Sequence, residues 1–482
     1  MLVATGVAIA AITVACMYFA LQAPQLRTQE NTDLVLSNVT IWNPGEDPQS
    51  SQTISISDGL ITKISPTKKG DPTSLCDVCF VMPGLVDAHV HMPPGLAIGN
   101  QELFSLLFLR HSVTAVRDVG QFDDSLNKLQ TRIRNGEVIG PRIYRCGRIL
   151  DGHPLSVPGA IAVENEEQGR KSVRDHFNNG VDCIKIYGNL SRDAYRGVAE
   201  EASIRDLPLL GHMPRALSIT DVSNFEIQHY TGIPYLNKPA PKNWAYKSRD
   251  LIDMDAEEIA NVIAVMKTNH VSFLPTNANL LSRLTASDRE RFPPSPGLVN
   301  LPTFWERAWP SIVSHPETDE EIATELDALP YGLRFIRAAH KSGIDVLVGT
   351  DVVMPYVVPG ESMHQQLALL TDAFGSSETA LRAATFVNGK HIDHGKIGRL
   401  QVGAYADLLI FRDGPPKSIK GLSDYEYVIA DGRLYHRDDL EAAVQKYRRH
   451  FRGGFYTSVM NGAYNYLSSD YEESEISRRT VE

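Results

Sequence analysis

Apolar and polar residues alternate in DLVLSNVTIW (33–42) and QTISISDGLITKI (52–64) near the start of the chain. They alternate again in AYADLLIFR (404–412) and YEYVIADGRLYH (425–436) near its end. A period of two marks half-buried strands, and the Gly, Asp and Pro residues between the runs mark turns. The pattern predicts a small β-sandwich domain assembled from both chain ends, residues 25–80 and 396–440. The stretch between them, 81–395, has another rhythm. Eight short apolar runs occur, at 85–91, 113–120, 142–150, 182–188, 207–213, 224–230, 270–277 and 345–351. Most are separated by helical patterns such as QELFSLLFLRH and SRDAYRGVAEEASIRD. Strand alternating with helix predicts parallel strands joined by crossovers, and eight such units fit a (β/α)8 TIM barrel. An open doubly wound α/β sheet is the alternative, but no GxGxxG follows a strand, which removes its commonest nucleotide-binding form.

Two connections, 231–255 and 278–324, are too long for plain turns and are expected near the barrel mouth as lid elements. Residues 441–482 form a C-terminal extension whose polar, acidic end is expected to be poorly ordered. Residues 1–24 carry no charged side chain. About 20 apolar residues suffice to cross a bilayer. This segment therefore reads as a signal peptide or as a membrane anchor through residues 1–22, and the remainder as exported. The missing basic n-region and the position of Pro24 favour the anchor.

Composition adds exclusions. With 43% hydrophobic and 22% charged residues among 482, the chain is ordinary globular material. Its net charge of −11, from 47 basic and 58 acidic residues, argues against a nucleic-acid-binding surface. Five cysteines are too few for a disulfide scaffold. Cys76 and Cys79 form CDVC, but no second pair at similar spacing completes a zinc site; a small disulfide or two buried thiols is expected there.

The candidate chemistry begins in VMPGLVDAHVHM (81–92). On a strand Asp87, His89 and His91 share one face and Val86, Ala88 and Val90 the other. Two imidazoles at that spacing can hold one metal ion. Four later runs also end in residues of metal chemistry: Lys185 in CIKIYG, His212 in LLGHM, His229 in EIQHY and Asp351 in LVGTD. Barrel closure brings all six to the C-terminal mouth, where barrel enzymes place their active sites. An ammonium cannot ligate a metal. A lysine enclosed by apolar residues and cations loses its proton more readily, and a neutral amine can react with carbon dioxide to give a carbamate that bridges two ions.

These residues carry a resemblance. PGLVDAHVH, IKIYGNLSRDAY, LLGHMP, IQHYTG, LVGTDVVMPYVVPGESMHQQLALL and ATFVNGKHIDHGKIGRLQVGAYADLLIF together resemble the amidohydrolase superfamily, over roughly residues 33–436. The branch resembled is that of imidazolonepropionase-like and Xaa-Pro dipeptidase-like proteins with a carboxylated lysine. The resemblance implies two divalent ions, usually Zn²⁺. His89, His91 and Asp351 would hold the first, His212 and His229 the second, and carboxylated Lys185 would bridge them. It implies a metal-activated hydroxide as nucleophile, with Asp351 as general base and then acid. GHMPR carries one histidine where many relatives have a pair, and Tyr230 stands where a small residue is common; neither departure removes a ligand.

Around this set, Arg215 is a candidate for a substrate carboxylate, with a surface or interface role as the alternative. His153, Tyr187 and Tyr230 are candidate pocket residues, each with a plain packing or loop role as the alternative. Arg117–Asp118 reads as a buried ion pair, and His364 as a helix residue near the ligands. His111, His176, His270, His315, His340 and His450 read as structural. The expected activity is hydrolysis of an amide-type C–N bond in a small molecule such as a dipeptide or N-acyl amino acid, by a homo-oligomer. A lactonase or other esterase on the same site is the first alternative. A non-catalytic structural homologue is the second, and the six filled positions speak against it. No GxSxG, HExxH or GxxxxGK[ST] sequence supports another hydrolase class.

Overall fold

The computed structural model describes residues 16–31, 33–71, 75, 79–236, 251–312, 318–412, 414–416 and 418–465. Most of the leader expected at 1–24 and most of the 231–255 connection lie outside them, as do the chain's last seventeen residues. No helix among the described residues is long and apolar enough to cross a membrane. Residues 16–21 are helical; Leu21 is buried in the main apolar core, and Lys446 Nζ donates to Gln25 O over 2.8 Å.

The chain opens with β1 (Leu34–Ile41), β2 (Gln49–Ser57), β3 (Leu60–Pro66) and β4 (Cys79–Pro83). Then follow β5 (Leu85–Val90), β6 (Val113–Asp118), β7 (Arg142–Arg145), β8 (Leu150–Asp151), β9 (Ile161–Ala162), β10 (Ile184–Ile186), β11 (Leu209–Gly211), β12 (Phe225–Gln228) and β13 (Ser272–Leu274), and finally β14 (Leu408–Phe411), β15 (Tyr427–Ala430) and β16 (Arg433–His436).

Strands from both ends form one seven-stranded sheet, in the order β16-β15-β14-β4-β1-β2-β3. The alternation read in the sequence is used as expected: Leu36, Ile54, Ile61, Val81, Leu408 and Ile429 belong to one apolar cluster separate from the main core. The β3 edge also meets the segment before β14, through Ile61 N to Ala404 O and Ala406 N to Gly59 O, both 2.8 Å. The sheet thus folds over onto its own cluster.

The middle of the chain has a TIM-barrel-like α/β fold. Its ladders divide into β5-β6-β7 and β13-β12-β11-β10-β8-β9, and every pair of neighbours in both sheets is parallel. At one seam Asp182 N donates to Arg145 O over 2.7 Å, and a disulfide joins Cys146 to Cys183. At the other, the chain at 345–352 runs between β13 and β5. Leu347 N donates to Phe273 O over 2.8 Å, Ala88 N to Val348 O over 3.0 Å and Asp351 N to His89 O over 2.8 Å.

The sequence reading needs three corrections here. The expected third strand, 142–150, is broken into β7 and β8. Gly147 lies between them at φ +72°, where a Cβ would come 2.6 Å from His176 Cδ2. The expected eighth strand, 345–351, forms only single bridges, at Val346 and, just beyond, Val352. Asn388 supplies the missing partners. Its Nδ2 donates to Val86 O and Val348 O over 2.6 and 2.8 Å, and its Oδ1 accepts from Val348 N over 3.0 Å. The 278–324 connection is largely helical, with helices at Asn277–Ser287 and Phe304–Ile312. The C-terminal extension is likewise structured at its start: helix Arg437–Phe451 buries Phe451, and Tyr456 OH donates to Ile98 O over 2.7 Å.

Candidate metal centre

All six predicted ligands are set by strand ends. His89 lies on β5 and His91 just past it; Lys185 is central in β10; His212 and His229 each follow the last residue of β11 and β12. Asp351 follows the bridged segment beside β5. His229 and Asp351 both adopt left-handed backbone, φ +58° and +65°, which is uncommon for non-glycine residues. Gly349 permits the closest approach, since a Cβ there would sit 2.5 Å from His89 Cβ.

The rings succeed one another around the mouth. Centroids of His91 and His89 are 5.4 Å apart, His89 and His229 5.0 Å, and His229 and His212 4.8 Å. Tyr187 stacks on His212 at 3.8 Å, and Lys185 Nζ is 5.4 Å from the Tyr187 ring. Asp351 Oδ1 lies 3.1 Å from His89 Nε2 and 3.6 Å from His91 Nε2. His89, His229 and Asp351 each offer a ligand atom within 4.8 Å of the others.

The protonation chemistry suits a cation. Burial holds the imidazoles of His89, His212 and His229 well below their ordinary value, which favours the neutral form that a metal ligand needs. His91 Nδ1 faces Gly120 O at 3.1 Å. A carbonyl only accepts, so Nδ1 carries a proton, and Nε2 is the nitrogen turned to Asp351. His89 is fully buried, yet neither ring nitrogen makes a hydrogen bond. Such a group is costly in a protein interior, and a metal ion would satisfy it. Burial also lowers the Lys185 amine to about 7, against the opposing charges of Asp351 and Glu226.

A cavity of about 430 Å³ opens over these residues. Its wall includes His91, Tyr187, His212, Arg215, His229, Tyr230 and Asp351. Arg215 Nη1 donates to Asn189 Oδ1, while its Nε is buried without a hydrogen bond. Tyr230 OH donates to Asn277 Oδ1 over 2.8 Å. His153 is not in this wall. Its side chain is 60% exposed and comes no nearer than 4.0 Å to Glu164, while Ser156 and Val157 of the same loop reach the cavity.

Several contributors escaped the sequence reading. Helix Asn277–Ser287 brings Asn279 to the site, where Nδ2 donates to Asp351 Oδ2 over 2.6 Å. It also brings Arg283, whose Nη2 donates to buried Glu325 over 2.9 Å. Thr276 Oγ1 shares a 2.6 Å hydrogen bond with His229 Nδ1. The Asn-rich stretch PTNANLL was the available signal, hidden within what reads as a loop. Arg117 and Asp118 do not pair. Successive strand residues face opposite ways; Arg117 Nη2 reaches Glu226 Oε1 over 2.5 Å, and Asp118 accepts from Met92 N and Gly120 N. His364 is not in the cavity wall; its Nε2 donates to His111 O over 3.0 Å. Cys79 is disulfide-bonded, while Cys76 lies outside the described residues.

The sequence profile of the amidohydrolase family matches residues 80–435. The chain belongs to the amidohydrolase family. As an amidohydrolase it is a hydrolase acting on carbon–nitrogen bonds. An uncharacterized protein of Mycobacterium tuberculosis is 25% identical to this amidohydrolase over 372 residues, which cover 76% of this chain and 89% of that protein. Among solved structures, bottromycin amidohydrolase superposes with a TM-score of 0.67 at 22% identity, covering 91% of this chain and 93% of its own. A Xaa-Pro dipeptidase with bound methionine in its active site gives 0.58 at 18% identity, covering 84% and 100%. A prolidase complexed with N-methylphosphonate-L-proline gives 0.59 at 21%, covering 84% and 100%. These structures share the fold.

Proposed function

We propose that this amidohydrolase is a binuclear metal-dependent enzyme that cleaves the amide bond of a dipeptide or N-acyl amino acid. The observation that carries the reading is the convergence of His89, His91, His212, His229, Lys185 and Asp351, from five segments of the chain, with His91, His212, His229 and Asp351 lining one cavity and His89 and Lys185 buried beside them. In this reading His89, His91 and Asp351 hold one ion and His212 and His229 the other, with Lys185 as a carbamate between them. The all-N/O donor set suits Zn²⁺ and tolerates other first-row metals. Two such ions supply Lewis acidity and a water of lowered pKa.

The chain's own groups do the remainder. Asp351 Oδ1 faces the His89–His91 pair while Asn279 holds Oδ2, so Oδ1 is the oxygen placed to take a water proton and return it to the leaving nitrogen. Arg215 lines the cavity and keeps a buried Nε without a hydrogen bond; a guanidinium in the wall suits the terminal carboxylate of a dipeptide or acyl amino acid. Hydrogen bonds across both seams favour a closed (β/α)8 barrel, and the folded-over sheet around its own apolar cluster favours the sandwich reading of the end domain. The Cys146–Cys183 disulfide suits an exported protein, since such bonds persist in oxidising compartments.

Elemental analysis of the purified chain, joined to a screen of dipeptides, N-acyl amino acids and lactones, tests the proposal. Two ions per chain with amide hydrolysis are expected. Turnover of lactones alone overturns the substrate class, and a chain with neither metal nor hydrolysis after incubation with Zn²⁺ and bicarbonate overturns the enzyme reading.

A further inference from the structure

Beneath the ring of histidines runs a chain of buried polar groups. Lys185 Nζ donates to Gln228 Oε1. Gln228 Nε2 donates to Glu226 Oε1 over 3.1 Å, and Arg117 Nη2 donates to the same oxygen over 2.5 Å. Arg117 Nε donates to Ala88 O over 2.9 Å, one residue before His89. Lys185 and Gln228 are wholly inaccessible, Arg117 is 1% exposed and Glu226 6%. Lys185 and Gln228 thus have no exposed surface at which solvent could offer a substitute partner.

Direction follows from the donor inventory. A carboxylate held by Arg117 only accepts, so the Gln228 amide must turn its NH₂ toward Glu226. Its oxygen is then fixed on Lys185, whose nitrogen must keep one N–H for it. An ammonium, a neutral amine and a carbamate all keep one. A carbamate keeps only one, and its N–C bond is planar like a peptide. With that N–H committed to Gln228, the two carbamate oxygens are oriented away from Gln228.

We infer that Gln228, held by Glu226 and Arg117, is the positioning residue that orients the Lys185 carbamate by accepting its single N–H. This rests on the carboxylated-lysine reading above. The balanced step is addition of carbon dioxide. The Nζ lone pair forms the N–C bond, one C–O π pair moves onto oxygen, and one proton leaves the nitrogen for the buffer. The proton that remains stays on Nζ and is donated in a hydrogen bond to Gln228 Oε1.

The test uses the whole chain, stripped of metal and reloaded with Zn²⁺ across a range of ¹³C-bicarbonate concentrations. Bound label is read by NMR and metal by elemental analysis. Gln228→Met removes the acceptor at similar volume. Gln228→Asn withdraws it by one methylene and serves if the Met variant does not fold. In both, half-maximal loading is expected to need about ten-fold more bicarbonate, the equivalent of about 1.4 kcal/mol for one lost hydrogen bond. A purely structural glutamine would lower the melting temperature and leave this concentration unmoved. If the wild type binds label and both variants load at the wild-type concentration, Gln228 does not orient the carbamate. If the metal-loaded wild type carries no label, the carboxylated lysine itself is wrong, and this inference falls with it.

Discussion

Asn279 Nδ2 and Asp351 Oδ2 are 2.6 Å apart, so the helix after β13 fixes a carboxylate in the bridged segment beside β5. Groups that orient a ligand commonly matter 10–100-fold, so Asn279→Ala is expected to lower kcat by about that factor with the fold intact. Asp351→Asn should cost more, about 10²–10⁴-fold, if it is the general base and acid. Steady-state kinetics beside circular dichroism decide the matter; an Asn279→Ala enzyme with wild-type turnover removes the positioning role.

Arg215 lines the cavity with a buried, unsatisfied Nε. Arg215→Ala should raise KM by about 10–100-fold for substrates with a free carboxylate, the equivalent of the roughly 1.5–3 kcal/mol of a charge-assisted hydrogen bond. The matching carboxamides should be turned over much as before. Equal losses for both substrate series would show that Arg215 only supports the wall through Asn189.

The disulfide between Cys146 and Cys183 closes a loop with a sequence separation of 37 and crosses a seam of the strand ring. Chain entropy alone assigns such a crosslink about 4 kcal/mol. A Cys146→Ala/Cys183→Ala chain should lose stability of that order in urea unfolding. Both sulfurs are buried, so the native protein should also resist reduction until it unfolds. An unchanged midpoint would contradict the estimate.

Acid sensitivity has an identifiable source away from the metal centre. Burial pulls His111 down to about 3 and His364 to about 4 from an ordinary 6.5, with Arg110 adding to both. The unfolded chain therefore binds protons at these rings below 6.5 while the folded chain does not. Stability present above that value is lost as pH falls, at about 1.4 kcal/mol per pH unit per histidine, until the folded values are reached. Urea titrations between pH 7 and 4 should show this slope, and a His111→Gln/His364→Gln chain should show less of it. An identical slope in the double variant would place the acid sensitivity elsewhere.

The sequence made the side chains that gather at the candidate site legible because strand ends are short, apolar and terminated by unusual side chains. Lys185 stands out in CIKIYG, as does His229 in EIQHY. What it hid were relations that no local period encodes. Arg117 is adjacent to Asp118 in the chain but pairs with Glu226, because alternation along a strand sends neighbours to opposite faces. Asn279 reads as part of a polar connection, yet its helix delivers it to Asp351. Gly147 gives no sign that it must break a strand until His176 is seen against it. The apolar run at 345–351 looked like a strand, although an asparagine side chain replaces part of its ladder.

That asparagine ties the timing of assembly to the order of synthesis. The first strand of the ring and its last segment are sewn together by Asn388, about 300 residues after the histidine pair it steadies. A nascent chain that has already emerged past Asp351 holds every candidate ligand but not the clasp that closes them. Chains ending at residue 387 keep the direct Ala88–Val348 and Asp351–His89 bonds but lack this clasp, so they should hold His89 and Asp351 together less firmly than the full chain does.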